Sequence, residues 1–99
     1  MAVKILIKRK FKEDNMKAAS RFLINTRTGA MKQPGYITSE NLRNLNDKGQ
    51  IVVVSMWEDI ESWEAWKNSD ERKAYVDEFR DYYVGEAEYE YYGLGLQTD

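Results

Sequence analysis

Three tryptophans, Trp57, Trp63 and Trp66, fall within ten positions of one another in MWEDIESWEAWKNSDERKAY, residues 56–75. Six tyrosines follow, at positions 75, 82, 83, 89, 91 and 92. Indole and phenol rings can wall a dry pocket for an aromatic ligand, and a phenol inside such a pocket can hydrogen-bond a substrate hydroxyl or carbonyl. The residue types that are missing restrict the chemistry further. There is no cysteine, hence no disulfide framework and no thiolate nucleophile or thiolate metal site. There is no histidine, which removes the commonest metal ligand and the only side chain that ordinarily titrates between pH 5 and 8. A general base would have to be a carboxylate raised by burial, a lysine lowered by it, or the substrate's own acidity. A metal site would need carboxylates alone, GLG near the end lacks the context of a dinucleotide loop, and no P-loop occurs. Nothing specifically supports flavin. The expectation is no metal and no cofactor.

Helical phase separates the three indoles. Trp57 ends an apolar, β-branched run and reads as core, and Trp63 shares a buried stripe with Ile60. Trp66 lies roughly 60° around the helix from Trp63, at the margin of that stripe, and is the foremost candidate for a pocket wall. The candidate substrate-binding set is Trp66, Tyr75, Trp63 and Phe22, with no catalytic residue assigned. Tyr75 enters because it is placed to face a cavity between helices and sheet. The strand tyrosines Tyr89, Tyr91 and Tyr92 read as contact area for a partner. Arg9 and Glu40 are polar groups on strands where one of them could face inward, although solvent explains Arg9 and edge exposure Glu40 at least as well, and KRKFKED and SDERK read as solvated faces or turns.

These side chains must be positioned by a small set of elements. VKILIKRKF alternates as a strand does, with Val3, Ile5 and Ile7 on one face and Leu6 on the other between Lys4 and Lys8. From Asp14 as N-cap, Met16, Ala19, Leu23, Thr26 and Ala30 form a helical stripe flanked by Phe22; Gly29 is expected to loosen its last turns, and QPGY to end it. YITSENLRNL reads as a polar edge strand and IVVVSMW as a strand buried on both faces. Asp59 and Ser69 can cap two short helices, the second carrying a stripe of Tyr75, Val76, Phe79, Tyr82 and Tyr83. A last strand is expected after Gly85, then a short tail beyond about residue 94.

The order is that of the ferredoxin-like βαββαβ plan, an α+β fold with an antiparallel sheet and helices on one face. Right-handed crossovers are expected to set the first and third strands side by side as a parallel centre. At 99 residues the chain is expected to be one domain, 1–99. With helices on one face only, Val52, Val54 and Met56 or their alternates need another cover, and an isologous homodimer with sheets face to face would supply it. With 15 basic and 17 acidic side chains, no overall field favours nucleic acid or an anionic membrane. AVKILI is too short to be a signal core or a membrane span, so the chain reads as soluble and cytoplasmic.

From about Val3 to Tyr92 the chain resembles the antibiotic biosynthesis monooxygenase (ABM) superfamily of dimeric α+β barrels, most specifically in PGYIT, in IVVVSMWEDIESWEAWKNSDER and in the aromatic last strand. The resemblance implies that fold and a homodimer. It admits cofactor-free oxygenases of aromatic substrates, haem-degrading oxygenases and proteins without demonstrated activity. The haem-degrading branch is matched at Trp66 only. Its proximal histidine would fall near Val76, and its first-strand asparagine has no counterpart before Asn15. Haem degradation is therefore not expected. Two readings stand side by side: a cofactor-independent ABM-type monooxygenase acting on a small aromatic or enolisable substrate, and a non-catalytic binding or interaction module of the same dimeric fold.

Overall fold

The computed structural model describes residues 1–95, so the end of the expected tail, residues 96–99, lies outside the described residues. The chain runs β1 (Val3–Phe11), α1 (Met16–Met31), β2 (Tyr36–Arg43), β3 (Gln50–Trp57), α2 (Ile60–Lys67), α3 (Asp70–Glu78) and β4 (Tyr83–Gly93), with 3₁₀ turns at Glu13–Asn15 and Arg80–Tyr82. This is the ferredoxin-like α+β plan.

The four strands lie in the order β2-β3-β1-β4, and every neighbouring pair is antiparallel. The expected parallel centre is therefore corrected. Helix α1 carries the chain back so that β2 runs in the direction of β1, and the β2–β3 hairpin then reverses it. β3 thus enters between them antiparallel to both.

Period-2 alternation decides which side chains meet the helices. On β1 the inward positions are Val3, Ile5, Ile7, Arg9 and Phe11, with Ile5 and Phe11 fully buried. On β3 they are Ile51, Val53, Ser55 and Trp57. The opposite face pairs Leu6 with Val54, and Val54 in turn with Glu40, while Val52 pairs with Lys8 and Leu42. Its apolar side chains are only half-buried or exposed.

Helix boundaries follow local chemistry, with two departures from expectation. Asp14 does not cap α1; it lies in the 3₁₀ turn, and Asn15 precedes the helix without a side-chain capping bond. The turn closes by Asn15 N–H donating to the Lys12 carbonyl at 2.9 Å, so the chain enters the helix already wound. At the other end, α1 continues through Gly29 to Met31. Asp59 and Ser69 do cap their helices, accepting from the backbone N–H of Ser62 at 2.8 Å and of Arg72 at 3.2 Å. Hydrogen bonding from the Ser62 side chain and backbone lowers the pKa of the Asp59 carboxyl.

The second departure concerns Tyr82 and Tyr83. The helical stripe expected to carry them ends with α3 at Glu78; Tyr82 lies in the 3₁₀ turn and Tyr83 opens β4. The register between β1 and β4 shifts between Lys8 and Lys10, where β4 bulges around Gly85 at φ +69°. Tyr83 hydroxyl donates to the Val76 carbonyl at 3.0 Å, satisfying one of the free acceptors at the end of α3.

Two positive-φ glycines provide a test of these local constraints. Gly35 sits at φ +86°, and a Cβ there would overlap the Ser62 side chain in α2; a Cβ at Gly85 would meet nothing within 4 Å. Gly85→Ala is expected to lose about 1–2 kcal/mol for its backbone conformation alone. Gly35→Ala should lose clearly more, and urea unfolding of the two variants would measure the difference. Equal losses would contradict the close packing of the 34–36 turn on α2.

Candidate functional site

The sheet face under the helices is filled by two separate clusters. One gathers Phe11, Phe22, Phe79 and Tyr83 with Ala18 and Ala19; the other gathers Ile5, Trp57, Trp63 and Trp66 with Val3 and Ala30. Within the first, the Phe22 and Phe79 rings meet edge to face at 5.6 Å; within the second, Trp57 and Trp63 do so at 5.9 Å. Between them α1 presents Leu23 and Thr26, only half-buried, toward Val53 and Ser55 on β3. These side chains are too short to close the gap.

Their hydroxyls are also occupied. Thr26 Oγ1 donates to the Phe22 carbonyl at 2.9 Å. Ser55 Oγ accepts from Trp57 Nε1 at 3.1 Å and lies 3.3 Å from the Ile5 carbonyl, to which it donates. The result is a cavity of about 50 Å³ that is partly open to solvent. On this scale a single water needs about 10–15 Å³, so the cavity has room for a few water-sized groups.

Phe22, Trp63 and Trp66 all line this cavity, Trp57 forms part of its floor, and all four are buried. Tyr75 is not part of the lining. It packs against both clusters from α3 and points its hydroxyl to Glu71 Oε2 at 3.3 Å. Partial burial, and after it the Glu71 charge, raise its phenol above the ordinary value. Tyr75, Trp66 and Glu71 converge on Gly29. A Cβ there would lie 2.6 Å from Trp66 Cη2, which explains a glycine inside a helix that does not loosen at that point.

Two buried charged residues of the lining lay outside the candidate set. Arg9, expected in solvent, is buried, and its guanidinium stands over the rings of Phe22 at 5.2 Å and Tyr83 at 4.5 Å. Desolvation is the leading influence on it and lowers its pKa, with the charge of Arg72 acting in the same direction. Arg72 belongs to the segment SDERK, read as a solvated face, yet it too is buried, stacked 5.4 Å from Trp63 and donating to Tyr89 Oη at 3.1 Å. A signal for Arg9 existed: it shares parity with Val3, Ile5, Ile7 and Phe11. For Arg72 there was none, because only the turn between α2 and α3 brings it over Trp63. Glu40 lies exposed on the opposite face.

A family model for antibiotic biosynthesis monooxygenase matches residues 2–78 of the chain. No curated protein matches it. Among solved structures, the chain is similar to SnoaB, a cofactor-independent oxygenase from Streptomyces nogalater, with 14% identity over 98% of this chain and 95% of that one and a TM-score of 0.82. It is similar to a conserved protein from Methanosarcina mazei Go1, with 17% identity over 93% and 91% and a TM-score of 0.83. Rv0793 from Mycobacterium tuberculosis is similar over 100% of both chains at 10% identity, with a TM-score of 0.82. At these identities the likeness is one of fold.

The Gly29 contact tests the cavity wall. Helix propensity favours Gly29→Ala by about 1 kcal/mol, whereas overpacking a filled site costs about 1–3 kcal/mol. Glu71 can swing away, but the rigid Trp66 ring must be displaced. Gly29→Ala is expected to lower stability by up to about 2 kcal/mol on those figures, and to change the near-UV circular dichroism of the tryptophans. A stabilised variant with an unchanged spectrum would contradict this packing.

Proposed function

We propose, from the premise that this chain belongs to the antibiotic biosynthesis monooxygenase family, that it is a cofactor-independent monooxygenase of a small aromatic or enolisable substrate. The observation that carries the reading is the sheltered cavity between α1 and the sheet, walled by Phe22, Trp63 and Trp66. Such a cavity holds a flat ring and excludes water from a reactive intermediate. The fold shared with SnoaB, itself a cofactor-independent oxygenase, supports it as an analogy of architecture.

The chemistry asked of the substrate is balanced without a resident redox group. An activated CH₂ loses a proton to give a carbanion or enolate, which transfers an electron to dioxygen; the resulting radicals combine to a peroxide. The peroxide anion takes up one proton; loss of the second C–H proton with cleavage of the O–O bond then leaves a carbonyl and hydroxide, and a further proton converts the hydroxide to water. In total, CH₂ and O₂ become C=O and H₂O. The protein's part is to bind the ring, keep the carbanion dry and favour ionisation.

The second reading, a binding module without turnover, is favoured by one specific feature: among the described residues, no carboxylate or lysine lines the cavity to serve as base. Oxygen uptake with a panel of quinols, anthrone-like phenols and other enolisable aromatics separates the two. Uptake that is saturable and reduced in Trp66→Ala is expected. No uptake with any member, despite measurable binding, would leave the module reading.

The open sheet face belongs to the same proposal. Leu6, Leu42, Val52, Val54 and Met56 lie on the face away from the helices, and a second copy laid sheet to sheet would bury about 800 Å² per partner, enough for a stable isologous dimer. Light scattering after size exclusion is expected to report a dimer at micromolar concentration, and Val54→Glu a monomer. A wild-type monomer at that concentration would overturn it.

A further inference from the structure

The cavity under α1 is lined by cationic side chains and by no carboxylate. Arg9, Arg27 and Arg72 all line it, and no aspartate or glutamate does, although acids outnumber bases in the chain, 17 to 15. Arg27 is exposed and solvated. Arg9 and Arg72 are each only 7% exposed. Among the described residues neither guanidinium lies in an ion pair; the pairs that form are Lys8–Glu90, Lys10–Asp47 and Arg80–Asp77, all elsewhere. A third donor, Trp63 Nε1, is buried with no hydrogen-bond partner among the described residues.

A guanidinium cannot relieve burial by losing its proton. The faces of Phe22, Tyr83, Trp63 and Tyr89 compensate in part through cation–π contact, and Tyr89 accepts one bond from Arg72. These neutral partners do not balance two desolvated positive charges that repel each other. A bound anion would do so.

We propose that the cavity takes a planar organic oxyanion, with its ring among Phe22, Trp63 and Trp66 and its negative oxygen paired with Arg9 and Arg72. The shared chemistry is that of a phenolate, an enolate or an aromatic carboxylate. This rests on the reading of the cavity as the substrate site and deepens it. A phenol or enol bound between two guanidinium groups ionises at lower pH than in water, the O–H proton passing to solvent through the open side of the cavity. Ionisation then needs no histidine and no carboxylate base.

The test is a binding experiment on the intact protein, followed by tryptophan fluorescence and by the phenolate absorbance band. The probes are 4-nitrophenol against its methyl ether 4-nitroanisole, and benzoate against benzamide. Each anion is expected to bind at least about tenfold more tightly than its neutral counterpart, which for 4-nitrophenol corresponds to a bound pKa lower by about one unit. Arg9→Met and Arg72→Met should each bring the anion-to-neutral affinity ratio toward one, and their melting temperatures should be unchanged or higher, because an uncompensated charge has been removed.

Tighter binding of 4-nitrophenolate than of benzoate assigns the site to phenolates and enolates, and the reverse order to carboxylates. Equal affinity for anion and neutral counterpart in the wild-type protein overturns the proposal, whether or not the variants fold. Inorganic phosphate bound as tightly as benzoate also overturns it, since the aromatic walls would then contribute nothing. Turnover is not part of the readout. Anion preference without oxygen uptake would remove the monooxygenase reading and keep the site, whereas oxygen uptake without anion preference would do the opposite.

Discussion

The packing of one helix across one sheet through two separated aromatic clusters is the constraint on which the rest of this structure depends. Helix α1 rests on Phe22 with Ala18 and Ala19 at one end, and on Ala30 with the indoles of Trp63 and Trp66 at the other. Its middle carries Leu23 and Thr26 over Val53 and Ser55, and these do not fill the space. Close packing ordinarily leaves few voids larger than a water molecule, so a cavity at the centre of a domain this small needs a cause. The cause is that both supports are rigid ring clusters. The helix cannot settle onto the sheet between them without displacing Phe22 or Trp66.

Gly29 shows how tightly one support is set. The indole of Trp66 approaches the helix at a point where even a methyl group would collide with it. The same approach fixes the wall of the cavity, because Trp66 is held by α1 on one side and by the second cluster on the other. Tyr75 meets it there but on the side away from the cavity, which is why its hydroxyl finds Glu71 and not a ligand. Packing and site are in this respect one arrangement.

Charge placement sets the cavity apart from an ordinary packing defect. An apolar void lined by aliphatic side chains would stay dry and neutral. Here Arg9 and Arg72 are buried beside it on aromatic faces, while the carboxylates of the described residues pair with other bases or face solvent. A buried guanidinium without a carboxylate is destabilising in the empty protein. The chain belongs to the antibiotic biosynthesis monooxygenase family, and SnoaB, a cofactor-independent oxygenase, is similar to it in fold.

The amino-acid sequence determined the order and type of the elements, because hydrophobic period, turn residues and caps are local properties: the alternation in β1, the apolar run of β3, and the capping residues Asp59 and Ser69 are all legible in it. It also put Phe22, Trp63 and Trp66 in the candidate set, and their burial follows from their size and helical phase. What it left undecided depends on residues distant in the chain. The direction of β3 relative to β1 follows from the hairpin with β2, and the end of α3 before Tyr82 from the bulge that starts β4. Strand parity gave the face on which Arg9 lies but not the rings that cover it, and whether Tyr75 faces the cavity, and whether Arg72 is solvated or buried, was decided only when α1, α3 and the sheet came together. A polar side chain takes its environment from its neighbours in space, and one helix phase or strand parity cannot specify those.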